Sequence, residues 1–228
     1  MKSNEQGRSM IEMLGVLAIV GVLSVGGIAG YSKAMAKFKT NKIIDQVTML
    51  STNIRTMFGT QGDYAGLSNA LALKTGTVPG DMYNPKDNAD DGKIANAFGG
   101  YVELQPSGAA TVNKYYFLAA TGIPENACVS IATTDWGADA TSGLMGMQIV
   151  QSGAADTSTT GTAATSSAIT SATANLATEI STPQSAGVTS LSNNYAGPTN
   201  LPLSVSQASV ACKPAANGGL TTIVWIFS

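Results

Sequence analysis

Gly7-Arg8-Ser9-Met10-Ile11-Glu12 runs straight into Met13-Leu14-Gly15-Val16-Leu17-Ala18-Ile19-Val20-Gly21-Val22-Leu23-Ser24-Val25-Gly26-Gly27-Ile28-Ala29-Gly30-Tyr31-Ser32. Residues 13–32 carry no charged side chain. About 20 helical residues, at about 1.5 Å each, span the roughly 30 Å hydrocarbon core of a bilayer. The run is longer than the apolar segment of a secretory signal peptide, and no small-x-small site clearly precedes a mature domain, so it reads as a retained anchor. Glu12 stands at its head. Inside lipid an ionised carboxylate costs about 2.5 to 3.5 kcal/mol and needs a partner. At the interface it would instead be a favourable first-turn helix charge.

Beyond the anchor, Ile43, Val47, Leu50, Ile54 and Met57 recur in alternating steps of four and three. That is one apolar stripe on an amphipathic helix. Gly59 and Gly62 supply its stop signal. The pattern predicts a single helix over residues 9–58, apolar all round in its first half and one-sided in its second. Glycines at 15, 21, 26, 27 and 30 suit close helix–helix approach in lipid.

Composition narrows the chemistry. A net charge of −2 gives no electrostatic case for binding nucleic acid. Charged residues make up 11%, so the exterior must be largely Ser, Thr, Asn, Gly and Ala, a surface suited to packing among identical copies or to exposure outside the cell. The absence of histidine removes the histidine-based nucleophile triads and leaves a poor ligand set for zinc. No Gly-rich phosphate loop occurs. Asp90 and Asp91 are adjacent in a turn, with nothing to separate their pKa values into an acid and a base. The segment from Asp87 to Gly92 fails the EF-hand spacing and reads as a solvated turn. No enzyme activity, cofactor or metal is expected.

Cys128 and Cys212 read as a disulfide formed in an oxidising compartment, with two buried free thiols as the alternative. A bridge between them would constrain the unfolded chain by about 4 to 5 kcal/mol. Lys33, Lys37, Lys39 and Lys42 follow the anchor, against Lys2 and Arg8 before it. Taken alone, that asymmetry puts the C-terminal side in the cytoplasm. A disulfide argues for the opposite orientation.

Along the rest of the chain, residues 68–73 look helical, and strands are expected over 101–104 and 114–119. A helix opening at Pro124 and closing at Trp136-Gly137 would contain Cys128. A strand follows over 144–151. Residues 152–182, almost all Ser, Thr, Ala and Gly, read as an exposed flexible excursion. A short helix over 204–212 and a strand over 221–227, buried on both faces, complete the pattern.

The segment from Gly7 to Glu12 resembles the processing site of type IV prepilins: a short polar leader ending in glycine, then a mature chain with glutamate fifth. The resemblance implies cleavage between Gly7 and Arg8, N-methylation of Arg8 as the new first residue, and a role in assembly for Glu12. Arg8 departs from the family, which more often has phenylalanine, methionine or another apolar residue there. The implied fold is α+β, a lollipop whose long N-terminal helix packs by its second half on an antiparallel sheet head with short helices and one disulfide. The domains would be a leader over 1–7, the helix over 8–58 with its transmembrane and polymerisation segment at about 13–32, and a head over 59–228.

Ile123-Pro124-Glu125-Asn126-Ala127-Cys128-Val129-Ser130-Ile131-Ala132-Thr133, together with Asn96-Ala97-Phe98-Gly99-Gly100 and the Ser-rich helix into Cys212, is similar to type IVb pilins, the bundle-forming and toxin-coregulated pilins among them. In that subclass a disulfide, here Cys128 to Cys212, brackets a surface region, here 128–212, used for subunit contacts and adhesion. The resemblance leaves residues 138–200 unmatched.

What it implies is a major pilus subunit, polymerised through its N-terminal helix into an extracellular filament for adhesion, aggregation or related surface functions. The implied partners are further copies of the chain, a prepilin peptidase, and the inner-membrane platform, assembly ATPase and secretin of a pilus machine. The precursor would sit in the inner membrane with its N-terminus cytoplasmic and its head periplasmic. A minor or tip pilin, or a type II secretion pseudopilin, would share most of these features. A signal-anchored binding protein that never polymerises is the contrasting class.

Overall fold

No proline interrupts residues 6–58, and Gly59 follows them. In the computed structural model they form one helix, α1 (Gln6–Phe58). The structure describes residues 6–83, 92–108, 113–137, 142–151, 162–188, 190–214 and 219–228. By internal contacts the chain divides into two units, Met1–Lys39 and Thr40–Ser228. The division falls inside α1 because the side chains change character there. Ile43, Val47, Leu50, Ile54 and Phe58 are at most 4% exposed, whereas the large apolar side chains from Met10 to Tyr31 are between 53% and 75% exposed. Met57, assigned to the stripe by its spacing, is only partly buried, and Phe58 takes that place in the core.

In the second unit the described strands form an antiparallel sheet in the order β1 (Ile94–Ala95), β2 (Tyr101–Pro106), β3 (Tyr116–Ile123), β6 (Thr221–Phe227), β4 (Leu144–Gln151), β5 (Tyr195–Ala196). Side chains alternate across the two faces with period two. On one face Leu118 pairs with Trp225 and Ala120 with Ile223, while Met147 and Ile149 flank the same two β6 residues from the other side. This layer packs with the α1 stripe and with α3 (Glu125–Ala132) and α5 (Val205–Ala211). On the opposite face Phe117, Ala119, Val224 and Ile226 pack with Ala168, Ile169, Ala172 and Leu176 of α4 (Thr162–Ser181). Covered from both sides, every residue of β6 is buried.

α4 corrects the sequence reading of an exposed excursion over 152–182; residues 152–161 lie outside the described residues. Alanine is the strongest helix former, and Ala168, Ala172 and Leu176 recur at steps of four with Ile169 beside them. The stripe is masked in the sequence because its apolar positions are mostly alanine. Those small side chains let the helix backbone lie close on the sheet.

Smaller differences have local causes. The expected strand over 114–119 is β3 and runs on to Ile123, leaving Pro124 as the N-cap of α3. α3 stops at Ala132 rather than Trp136, and the Trp136 ring turns back to meet Trp225 edge-on at 5.4 Å. The helix expected over 68–73 is α2 (Asn69–Lys74), capped by the Ser68 side chain. The turn read over 87–92 lies outside the described residues apart from Gly92.

Two glycines are required by close approach. A Cβ on Gly100 would collide with the Thr121 carbonyl, next to Asn96, whose side-chain amide donates to that same oxygen at 2.8 Å. A Cβ on Gly146 would lie 2.6 Å from the Tyr195 hydroxyl and 3.0 Å from the Ala196 carbonyl, prising β5 from β4.

If α4 is a packed layer, Leu176→Ala costs about 2 to 5 kcal/mol by leaving a cavity against Val224 and Ile226. Denaturant unfolding of the detergent-solubilised chain, followed by tryptophan fluorescence, measures this. An unpacked excursion would give a change within about 0.5 kcal/mol.

Candidate functional site

The sequence-derived site residues fall into the two units. Gly7 and Arg8 lie in the first turns of α1, and Glu12 follows one helical turn later. Glu12 is exposed among exposed apolar neighbours, and no ion pair to it exists among the described residues. Gly15, Gly21, Gly26, Gly27 and Gly30 have nothing within 4 Å of where a Cβ would sit. Nothing among the described residues therefore requires glycine at those positions. The helix is long and apolar enough to cross a membrane, with a mean hydropathy of 2.2 over its most apolar window.

In the second unit Cys128, inside α3, is bonded to Cys212, the C-cap of α5, with Cα atoms 5.7 Å apart. Both sulfurs are buried in the layer beneath α1. The free-thiol alternative does not hold. α5 is positioned by a capping box in which Ser204 and Gln207 satisfy each other's backbone amides. The Ala132 carbonyl also accepts from the Leu203 amide at 3.1 Å.

Between the two cysteines an uncharged hydrogen-bond lattice holds the chain, and sequence reasoning missed it. The Gln184 side chain donates to the Tyr195 carbonyl at 3.3 Å and accepts from the Gly197 amide at 3.0 Å and from Asn200 Nδ2 at 3.2 Å. Asn200 Oδ1 in turn accepts the Gly187 amide at 3.0 Å, and Gln207 Nε2 donates to the Val188 carbonyl. Gln148, 2% exposed, donates to the Asn193 carbonyl and accepts from Asn175 Nδ2, each at 2.6 Å. Gln148, Asn175 and Asn193 line an open cleft of about 390 Å³ together with Asn194 and Ser171. Amides and hydroxyls of this kind can hold a polar surface but cannot do acid–base work. Among the described residues no cluster of three or more His, Cys, Asp or Glu is placed to hold a metal. The only signal in the sequence was isolated Asn and Gln within a Ser/Thr/Ala background.

The titratable groups that are buried, or held by hydrogen bonds at the surface, are structural. Glu179, 6% exposed near the end of α4, accepts the Gln184 amide at 3.2 Å on each carboxylate oxygen. The Tyr195 hydroxyl is buried without a hydrogen-bond partner among the described residues; burial, and then the negative charge of Glu179, raises its pKa far above that of an ordinary phenol. Tyr116, whose hydroxyl donates to the Ser51 carbonyl at 3.3 Å, is raised mainly by burial. For Asp81 burial acts upward but is outweighed by hydrogen bonds from Gln46 and Lys42, which hold the carboxyl below the usual range.

Residues 33–184 match the family model described as bundlin. The chain belongs to the bundlin family. Two curated relatives are each called the major structural subunit of bundle-forming pilus, one from Escherichia coli O127:H6 (strain E2348/69 / EPEC) and one from Escherichia coli O111:H-. Each is 33% identical over 139 residues, covering 61% of this chain and 69% of the relative. A crystal structure of type IV b pilin from Salmonella typhi is similar with a TM-score of 0.48 and 18% identity, over 81% of this chain and 97% of that one. The bundlin match includes residues 138–184, which the motif resemblance leaves out, and α4 lies within that stretch. It begins after the anchor, so the Gly7-to-Glu12 pattern stands apart from it.

Opening the bridge, by reduction or by Cys128→Ser with Cys212→Ser, is expected to cost about 4 to 5 kcal/mol for a separation of 84 residues, seen as a lower unfolding midpoint under reducing conditions. A second prediction concerns alkali. Tyr116 and Tyr195 have folded pKa values above the unfolded value near 10, so their contribution is complete below about pH 10 and is lost as pH rises toward the folded values. Tyr195→Phe removes a hydroxyl that has no hydrogen-bond partner among the described residues. Unfolding curves at neutral and alkaline pH should therefore show it no less stable than the parent at neutral pH and less sensitive to alkali.

Proposed function

We propose that this chain is a structural subunit of a type IVb pilus, made as a membrane-anchored precursor and polymerised with other copies of itself into an extracellular filament. The observation that carries the reading is the state of the anchor within a bundlin-family chain. Its apolar side chains are more than half exposed, its five glycines face open space, and Glu12 has no partner among the described residues. Lipid covers such a surface before assembly and neighbouring helices cover it afterwards, with glycines allowing close approach.

Glu12 gives the assembly its register. Cleavage between Gly7 and Arg8 frees an α-amine, and the amine of one subunit pairs with Glu12 of the next. Burying the two charges together offsets much of the desolvation that either would suffer alone. The Arg8 side chain adds a second positive group at the same contact. In this reading a prepilin peptidase cuts and N-methylates Arg8, and an inner-membrane platform, an assembly ATPase and a secretin extrude the fibre. The precursor keeps its N-terminus in the cytoplasm and its disulfide-bonded head in the periplasm. The chain acts as a building element, as its relatives are named, rather than as a catalyst.

The test compares cells producing the parent chain and Glu12→Ala. Sheared surface material from the parent contains fibres built of this chain, with Arg8 at the mature N-terminus by mass spectrometry. Glu12→Ala leaves a stable membrane-held protein and no fibres. Normal fibre yield from Glu12→Ala removes the role given to the carboxylate, and a chain that retains Met1 and forms no fibres removes the pilin reading.

A further inference from the structure

The first unit ends in a belt unlike the helix that precedes it. Directly around the end of the charge-free residues 13–32 come Tyr31, Lys33, Lys37, Phe38 and Lys39. At about 1.5 Å and about 100° per residue they occupy about 12 Å of helix axis and spread around it. Lys33 and Lys37 lie within about 40° of each other, Lys39 about 120° from Lys33, and the two rings together on the remaining arc. Tyr31 is 67% and Phe38 59% exposed; Lys33 and Lys37 are exposed and Lys39 is half-buried. No ion pair to these three lysines exists among the described residues, whereas Lys42 holds Asp81 at 3.2 Å. The arrangement is a collar of three cations, one amphipathic ring (Tyr31) and one apolar ring (Phe38) at the foot of an apolar cylinder.

We propose that Tyr31, Lys33, Lys37, Phe38 and Lys39 form a binding collar for the phosphate groups of anionic phospholipid. The inference rests on the membrane-anchored reading above. A lysine at the edge of the hydrocarbon lays its methylene stem along the apolar boundary and lifts its ammonium to headgroup level, where the amphipathic ring of a tyrosine such as Tyr31 also settles, while Phe38 remains on the apolar side. Because the lysines point outward around the helix, a soluble phosphate would meet one ammonium at a time. A lipid surface presents phosphates to all three at one depth. Charge matching to a second copy of α1 is poor, since residues 6–58 contain only Glu12 and Asp45 as acids. The collar also accounts for a lysine cluster on the side of the anchor where the usual charge rule disfavours it: anionic lipid supplies the missing counter-charge. Extraction into a fibre must then strip these lipids from the subunit.

The test uses the full chain in neutral detergent, titrated with phosphatidylglycerol or with phosphatidylcholine of the same acyl chains, with bound lipid read by native mass spectrometry. The collar gives selective retention of phosphatidylglycerol. Each Lys→Gln substitution lowers that preference about fivefold, and K33Q/K37Q/K39Q abolishes it. Excess inorganic phosphate leaves the preference unchanged. Equal retention of the two lipids, an undiminished preference in the triple variant, displacement by inorganic phosphate, or a triple variant altered only in chain–chain association each overturns the collar. Partition into phosphatidylcholine vesicles reports on the anchor separately. A chain that partitions but shows no lipid preference sinks the collar alone, and one that does not partition sinks the anchored reading as well.

Discussion

An apolar helix that its own chain leaves bare sets the terms for everything else. Residues 13–32 are poorly accommodated in water: removing apolar surface from water is worth about 25 cal/mol per Å², and among the described residues nothing covers their large apolar side chains. The cover must come from outside, as lipid or as other helices. Lipid tails and leucine side chains are about equally apolar, so exchanging one cover for the other is nearly neutral in hydrophobic terms. The choice is left to small residues, which let helices approach, and to the few charges at the two ends of the run. Glu12 marks one end and the lysines from 33 onward mark the other.

The head solves a different problem with few charges. The sheet is covered on one face by the amphipathic half of α1 with α3 and α5, and on the other by α4. The disulfide ties α3 to α5 beneath that cover. Where many proteins would fix a long connection with ion pairs, this one uses amide side chains, above all Gln184, Asn200 and Gln148. Gln148 and Asn200 are buried, so this lattice satisfies backbone groups inside the head without bringing further charges into it.

Much of this was legible in the sequence because periodicity is a strong signal when the side chains are large. The stripe from Ile43 onward and the β-branched and aromatic run of β6 announced themselves, as did the glycine stop after α1. α4 did not, because alanine and serine differ little in bulk and an alanine stripe leaves a faint pattern. The amide lattice was invisible for another reason: its partners are mostly backbone groups brought near by the fold, and no spacing along the chain encodes them. At the anchor the residues were readable one by one, and among the described residues Glu12 has no ion-pair partner to complete the reading.

The order of the strands has a bearing on how the subunit is made. β6 follows β3 and β4 in the chain yet lies between them, and the Thr221 hydroxyl reaches back across 98 positions to the Ile123 carbonyl. Without β6 the described sheet falls into β1–β3 and β4–β5, and the inner edges of β3 and β4 lose their partner. Such edges are templates for pairing with other chains. A chain clipped before residue 221 therefore exposes two sticky seams.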